Sequence, residues 1–360
     1  MRVLPALLAL VVAAPASAQV AWGASGPLVV RAARVAVATT ASGATEVYAQ
    51  VQLAAPPADR WALVWPVEAT ATSASAGDVR LLAGLADVAA PAVVGCPDKV
   101  GCVDVKPAAP IVEDAGEDAW VTAAAAGGAV LAATPQLAAA ALEAAGLPVG
   151  GVEEALAAWA PGRAFIVLVA ADSSTADASP IAHAVLPATG RVSLPLALLA
   201  RSPDDAASVD LFVTAVADHR AAPAVATLVN VPRDQVEIHG PVTTYGALAE
   251  AALSVGAAAF TAESAALVGA DDLANLDLGP DASRFFTSTR FVTRLRGSAR
   301  NKAPDDALVL SDGKDQLVSR RIETCHGGDG CATGGGPQLV GLLAVLALSL
   351  RARTRRARLC

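Results

Sequence analysis

Aromatic side chains are scarce in this chain: Phe, Trp and Tyr make up 4% of its 360 residues, and there is one Met. Its hydrophobic share of 54% is carried by alanine. A core must therefore be built from Val, Leu and Ala, with Trp22, Trp61, Trp65, Trp120 and Trp159 as sparse large anchors. Basic residues are also in deficit. Of 26 Lys and Arg, six (Arg2, Arg351, Arg353, Arg355, Arg356 and Arg358) sit at the two ends, which leaves 20 against 34 acidic residues between them, a balance of −14. Nucleic acid is a poor partner for such a surface. The four histidines (His183, His219, His239, His326) show no paired spacing, which argues against a metal site. Nucleophile-elbow Gly-x-Ser-x-Gly, phosphate-binding glycine loop and His-Glu-x-x-His helix are all missing, so the motifs assign no catalytic residue, no metal and no cofactor. No period of about 20–50 residues repeats, which excludes solenoids and propellers.

What is present is clearest at the ends. Met1-Arg2, the apolar run Leu4 to Ala14, and Ala16-Ser17-Ala18 read as a signal peptide, 1–18, cleaved after Ala18 to leave Gln19 first. About 11 apolar residues are too few for a membrane-spanning helix, which takes about 20. At the other end a Gly-rich linker with a cysteine motif, 321–336, precedes a short hydrophobic helix, 337–350, and an Arg-rich end, 351–360. Leu339 to Leu350 makes roughly 18 Å of helix, short for a permanent span. The cluster Arg351, Arg353, Arg355, Arg356 and Arg358 belongs on the cytoplasmic side, so the body of the protein is expected outside. This ending resembles the C-terminal sorting signals of the myxobacterial type, with Cys331 in the place of the cysteine that precedes the helix. Gly334, Gly335 and Gly336 are also similar to the glycine-glycine class of rhomboid-processed tails. Both resemblances imply a processing protease as partner; the alternative is a tail anchor that stays intact.

Five cysteines in an exported chain read as disulfide candidates. Cys96 and Cys102 flank the turn-like Pro97-Asp98-Lys99-Val100-Gly101 and are the favoured pair. Cys325 is a partner for Cys331, in competition with tail processing at Cys331, and Cys360 lies beyond the helix. Two acidic clusters, Glu113 to Asp118 and Asp271-Asp272 with Asp277 and Asp281, lack EF-hand spacing and read as solvated loops rather than calcium sites. Asp218-His219-Arg220 places an acid beside a histidine, but neighbours on a strand point to opposite faces, so Asp218 does not orient His219.

Strands are expected at Leu28–Val37, Thr45–Leu53, Trp61–Trp65 (stopped by Pro66), Ala164–Ala170, Arg191–Leu199, Ser208–Val216 and Phe285–Arg296. Helices are expected at Val79–Leu85, Gln136–Ala145 (closed by Gly146 and Pro148), Val152–Trp159 and Tyr245–Ala252. Ala90 to Asp118 reads as loop. Strands in runs with a few inserted helices argue for α+β: a β-rich, sandwich-like domain of antiparallel sheets over 19–320, with room for two subdomains meeting near 120–135, plus the C-terminal hydrophobic helix.

The order of segments resembles the exported bacterial proteins of domain-of-unknown-function family 2330. The matching stretches are Thr45-Glu46-Val47, Trp61-Ala62-Leu63-Val64-Trp65-Pro66, Leu137 to Ala145 with Gly146-Leu147-Pro148, Ser179-Pro180-Ile181, Val192-Ser193-Leu194-Pro195-Leu196 and Thr293-Arg294-Leu295-Arg296. Val20-Ala21-Trp22-Gly23 departs from the family's cysteine-glycine opening, and Glu68 stands where a second proline is usual. The resemblance implies an envelope protein and transfers no catalytic residue. The expected function is thus a noncatalytic module, structural or binding, at the cell surface and attached to the membrane at least transiently. Its partners would be the export machinery, an envelope polymer or another surface protein. The alternative is a secreted hydrolase. A concave pocket with converging Ser, His and acidic side chains favours the hydrolase; a flat sandwich favours the module.

Overall fold

All nine residues of Thr45–Leu53 are buried, although the segment alternates Val47, Ala49, Val51 and Leu53 with Glu46, Tyr48, Gln50 and Gln52. Strict alternation ordinarily marks a strand with one wet face. Here the polar face is covered as well, and the architecture shows by what.

A computed structural model of the chain describes residues 20–95, 99–100, 103–104, 111–112, 120–122, 125–170, 178–201, 208–239, 242–273, 278–279, 282–301, 303–310 and 315–324. The first strands are β1 (Ala21–Gly23), β2 (Gly26–Pro27), β3 (Val30–Thr39), β4 (Thr45–Leu53), β5 (Trp61–Glu68) and β6 (Ser73–Ala76), followed by helix α1 (Val79–Ala89). An eight-stranded sheet runs in the order Thr227–Val229, Ala258–Val268, Arg290–Arg300, Ser208–Ala217, β3, β4, Ala182–Leu186, β6. It is mixed, because β3 pairs parallel with Ser208–Ala217 and Thr227–Val229 pairs parallel with Ala258–Val268. A second sheet of five strands runs Val130–Ala132, Arg163–Val169, β5, β1, β2. The β-rich, sheet-dominated expectation therefore holds, with mixed as well as antiparallel pairing. These elements belong to one compact unit, which runs to Thr324. Among the described residues no helix is long and apolar enough to cross a membrane.

One apolar cluster joins the two sheets: Val35, Val37, Val47 and Val51 from the large sheet meet Trp61, Leu63, Trp65 and Phe165 from the small one. Its width comes from the two tryptophans, which are fully buried. Helices α2 (Pro135–Ala144) and α3 (Val152–Trp159) add Ala138, Leu142, Ala155 and Leu156 to the same cluster. Helix α2 starts at Thr134, whose hydroxyl accepts from the Leu137 N–H, and stops at Gly146, where φ is +76°. The other face of the large sheet is covered by α1 and by the segment around Phe285. There Leu81, Leu82, Leu85, Phe285 and Phe286 pack on Ala36, Ala38, Tyr48 and Val216.

Three expected strands depart from those observed by more than one or two residues at an end, each for a local reason. β5 continues through Pro66 to Glu68, since at Pro66 it pairs only with Phe165: β1 reaches no further along it than Leu63, so no ladder is lost on that side. Arg191–Leu199 divides into the strand Arg191–Leu194 and the short helix Leu196–Leu199, because Pro195 has no N–H to extend the ladder with Asp306–Val309. The strand expected from Phe285 begins at Arg290 and runs to Arg300, leaving Phe285 and Phe286 free to fill the core under α1. Ala90 to Asp118, expected as loop, includes the strand Ala92–Gly95, which pairs with Arg321–Thr324.

Candidate functional site

Strand register assembles the site. His183 stands opposite Tyr48 on one side and opposite Ser75 on the other, so side chains from β4, Ala182–Leu186 and the edge strand β6 share one face of the sheet. Glu46 lies two residues before Tyr48 on that face. Arg284 arrives from the short helical turn Ala282–Arg284.

These groups are tightly linked. The Glu46 Oε2 accepts from the Tyr48 hydroxyl at 2.7 Å and from Arg284 at 2.7 Å, and lies 3.0 Å from His183 Nε2. Arg284 also donates to the Tyr48 oxygen at 3.0 Å. On the far side of the imidazole, Nδ1 is 2.8 Å from Ser75 Oγ. The Tyr48 and His183 rings stack with centroids 4.4 Å apart and planes 11° from parallel, which fixes the imidazole plane. Burial works against the Glu46 charge, but the hydrogen bonds from His183 and Tyr48 and the Arg284 guanidinium hold its carboxyl below the ordinary range. Burial, and then the bond to Glu46, push the Tyr48 hydroxyl well above its ordinary value, so it stays protonated and donates. An ionised carboxylate only accepts, so Nε2 of a neutral His183 carries the proton and Nδ1 presents its lone pair to Ser75.

A cavity of about 190 Å³ opens over this network, lined by Ser75, Asp78, Leu81, His183, Leu278 and Arg284 above the Tyr48 ring. Asp78 caps α1 by accepting from the Arg80 N–H, and its salt bridge to Arg80 keeps its carboxyl below the ordinary range. Gly77 makes the close turn into α1 possible. A Cβ there would lie 2.5 Å from Ile181 Cγ2 and 3.0 Å from Tyr48 Cδ1.

Further along the same face a second polar cluster is sealed inside. A bulge between Ala262 and Ser264 sets Glu263 apart from the ladder. Its Oε2 accepts from Arg294 Nε at 2.8 Å, its Oε1 from the Tyr245 hydroxyl at 3.2 Å, and Arg294 Nη1 donates to the Ala86 carbonyl of α1 at 2.9 Å. Arg294 and Glu263 are 1% and 0% exposed. Nothing here opens to solvent, so this pair fixes α1 on the sheet.

The residues singled out from sequence are mostly elsewhere. Ala16, Ala18, Cys96, Cys102, Cys325, Cys331, Gly334, Gly335, Gly336, Arg351, Arg353, Arg355, Arg356, Arg358 and Cys360 lie outside the described residues, as do Glu113 to Asp118, Asp277 and Asp281. Asp218 and His219 take separate partners: Asp218 pairs with Arg290, and His219 Nδ1 is 3.0 Å from Asp315. Asp272 accepts from the Gly269 N–H. Among the described residues no three His, Cys, Asp or Glu side chains gather as a metal site. Glu46, Tyr48, Ser75, His183 and Arg284 were not legible as a group, though Glu46 and Tyr48 belong to the alternating polar face that the fold covers.

The chain matches no family model, and no curated protein matches it. Among solved structures, the crystal structure of baculovirus P35 superposes with a TM-score of 0.34 and 7% identity, over 79% of this chain and 98% of that one. So slight a likeness carries no argument about this chain.

Proposed function

We propose that the chain is an exported envelope protein, similar to domain-of-unknown-function family 2330, displayed at the outer surface through a C-terminal sorting tail and acting there as a binding module. The observation that carries the binding reading is the mixed charge of the cavity lining at the end of the large sheet, where the Asp78 carboxylate and the Arg284 guanidinium both border one small concavity. Hydroxyl, carboxylate, imidazole and guanidinium groups in one small concavity suit a hydroxylated envelope polymer better than an apolar ligand. The tail supports surface display by its order of cysteine, glycines, short helix and arginines.

Protein recovered from the outer surface of its host, mapped by intact mass and then co-sedimented with purified envelope polymer, tests both halves. Display by processing expects a chain beginning at Gln19 and ending near Cys331. A chain that runs through Cys360 means a retained anchor. Co-sedimentation that is unchanged in Arg284→Gln removes the pocket from the binding reading.

A second reading, an exported hydrolase, is favoured by the convergence of Ser, His and acid that sets it apart from a flat module: Ser75, His183 and Glu46 meet at a concave pocket, with contacts of 2.8 and 3.0 Å.

A further inference from the structure

We propose that Ser75 is a nucleophile, activated by His183 and oriented through Glu46, which takes short acyl groups from esters on hydroxylated polymers. The proposal rests on the hydrolase reading of the pocket and names its residues and substrate class.

Three features of the geometry lead there. A serine hydroxyl at its free pKa is a weak nucleophile and needs a base within hydrogen-bond reach whose own orientation is fixed by a third group. Ser75 Oγ has such a base at 2.8 Å in His183 Nδ1, and His183 is fixed from its other nitrogen by Glu46 at 3.0 Å and across its face by Tyr48. Ser75 meets Nδ1 and Glu46 meets Nε2, so the two ring nitrogens exchange the places they hold in the familiar triad; the roles of base and orienter are unaffected. Glu46 keeps its charge because Tyr48 and Arg284 hydrogen-bond the same oxygen. Access comes next. Ser75 is exposed on the edge strand β6 with Ala74 and Ala76 on either side, so an electrophile approaches Oγ without displacing a large side chain. Finally, the Arg284 guanidinium, besides pairing with Glu46, lines the same cavity and is the cation there for an ester carbonyl oxygen that gains negative charge.

The reaction balances without a further reagent. Oγ bonds to the ester carbonyl carbon while its proton passes to His183 Nδ1. The carbon–alkoxide bond breaks, and the alcohol leaves with that proton. Water then attacks the acyl-Ser75 ester, releases the carboxylic acid and restores the hydroxyl. A cavity of about 190 Å³ accommodates an acetyl-sized acyl group and part of a hydroxylated alcohol, and is too small to enclose a long acyl chain together with its alcohol.

The test uses the full chain with a fluorophosphonate probe, tryptic mapping of the adduct, and hydrolysis of p-nitrophenyl acetate against p-nitrophenyl decanoate. The expected result is an adduct on Ser75 and faster turnover of the acetate. Ser75→Ala, an exposed substitution that leaves the fold intact by circular dichroism, loses the adduct. His183→Gln slows labelling by about 100-fold or more, within the range for loss of a general base. Folded protein without an adduct at Ser75, or labelling as fast in His183→Gln as in the parent, overturns the proposal. No labelling of the parent chain, with its polymer co-sedimentation preserved, leaves the binding module standing and removes the nucleophile alone. Preferential turnover of the decanoate overturns the substrate class.

Discussion

A charge buried in a sheet is stable only while its partner is there. Glu263, 0% exposed, is held by Arg294 and Tyr245 beneath α1. Arg294→Met leaves the carboxylate without its cation and is expected to cost about 3–5 kcal/mol, read as a lower urea midpoint. Replacing both residues, Arg294→Met with Glu263→Leu, recovers most of that loss, because two apolar groups leave no charge to desolvate. A double variant no more stable than the single one argues that the pair contributes shape rather than charge. Glu46 gives a pH signature. Its folded-state carboxyl sits below the ordinary carboxylate range, so the unfolded chain binds the proton more readily, and Glu46 contributes stability that is present above the ordinary range and lost as pH falls through the depressed folded value. Asp210 and Asp305, both raised by burial, act in the opposite sense, so the informative quantity is a difference. Urea midpoints measured from neutral pH down into the acid range are expected to fall more steeply in the wild type than in Glu46→Gln.

Close packing limits what the elements tolerate. In the strand Arg290–Arg300, a Cβ on Gly297 would stand 2.5 Å from the Phe260 ring of the neighbouring strand. Gly297→Ala is therefore expected to destabilise by about 1–3 kcal/mol, seen as a lower thermal midpoint. Asp78→Ala removes the cap of α1 and is expected to cost about 1 kcal/mol by the same measurement. Legibility in the sequence follows the same physics. Thr45–Leu53 and Val152–Trp159 have the bounds expected, since local alternation marks the first and Pro161-Gly162, just beyond the second, ends it. Ala258–Val268, one of the longest strands, is not marked in the sequence: its alanines are strand-poor by propensity, and pairing with Arg290–Arg300 decides its form. The candidate site was illegible for a related reason. Ser75, His183, Glu46 and Arg284 lie on four separate segments, and only the register across β6, Ala182–Leu186 and β4 makes them neighbours.

At the scale of the whole molecule, the large sheet is stitched from distant parts of the chain. β3 and β4, early in the sequence, sit between Ser208–Ala217 on one side and Ala182–Leu186 on the other. Each of those junctions closes a loop of more than about 100 residues, an entropic cost repaid only when both parts are present. Neither half then has a complete core: residues 19–170 keep β3 and β4 without the strands that flank them, and residues 178–324 keep Ser208–Ala217 without β3. The polar network divides too, with Glu46, Tyr48 and Ser75 in the first part and His183 and Arg284 in the second. Expressed separately, the two fragments are expected to show no cooperative thermal transition and no labelling at Ser75. Mixed from denaturant, they are expected to regain a single transition. A cooperative melt in either fragment alone would place an independent folding unit within it and count in favour of a subdomain boundary between them.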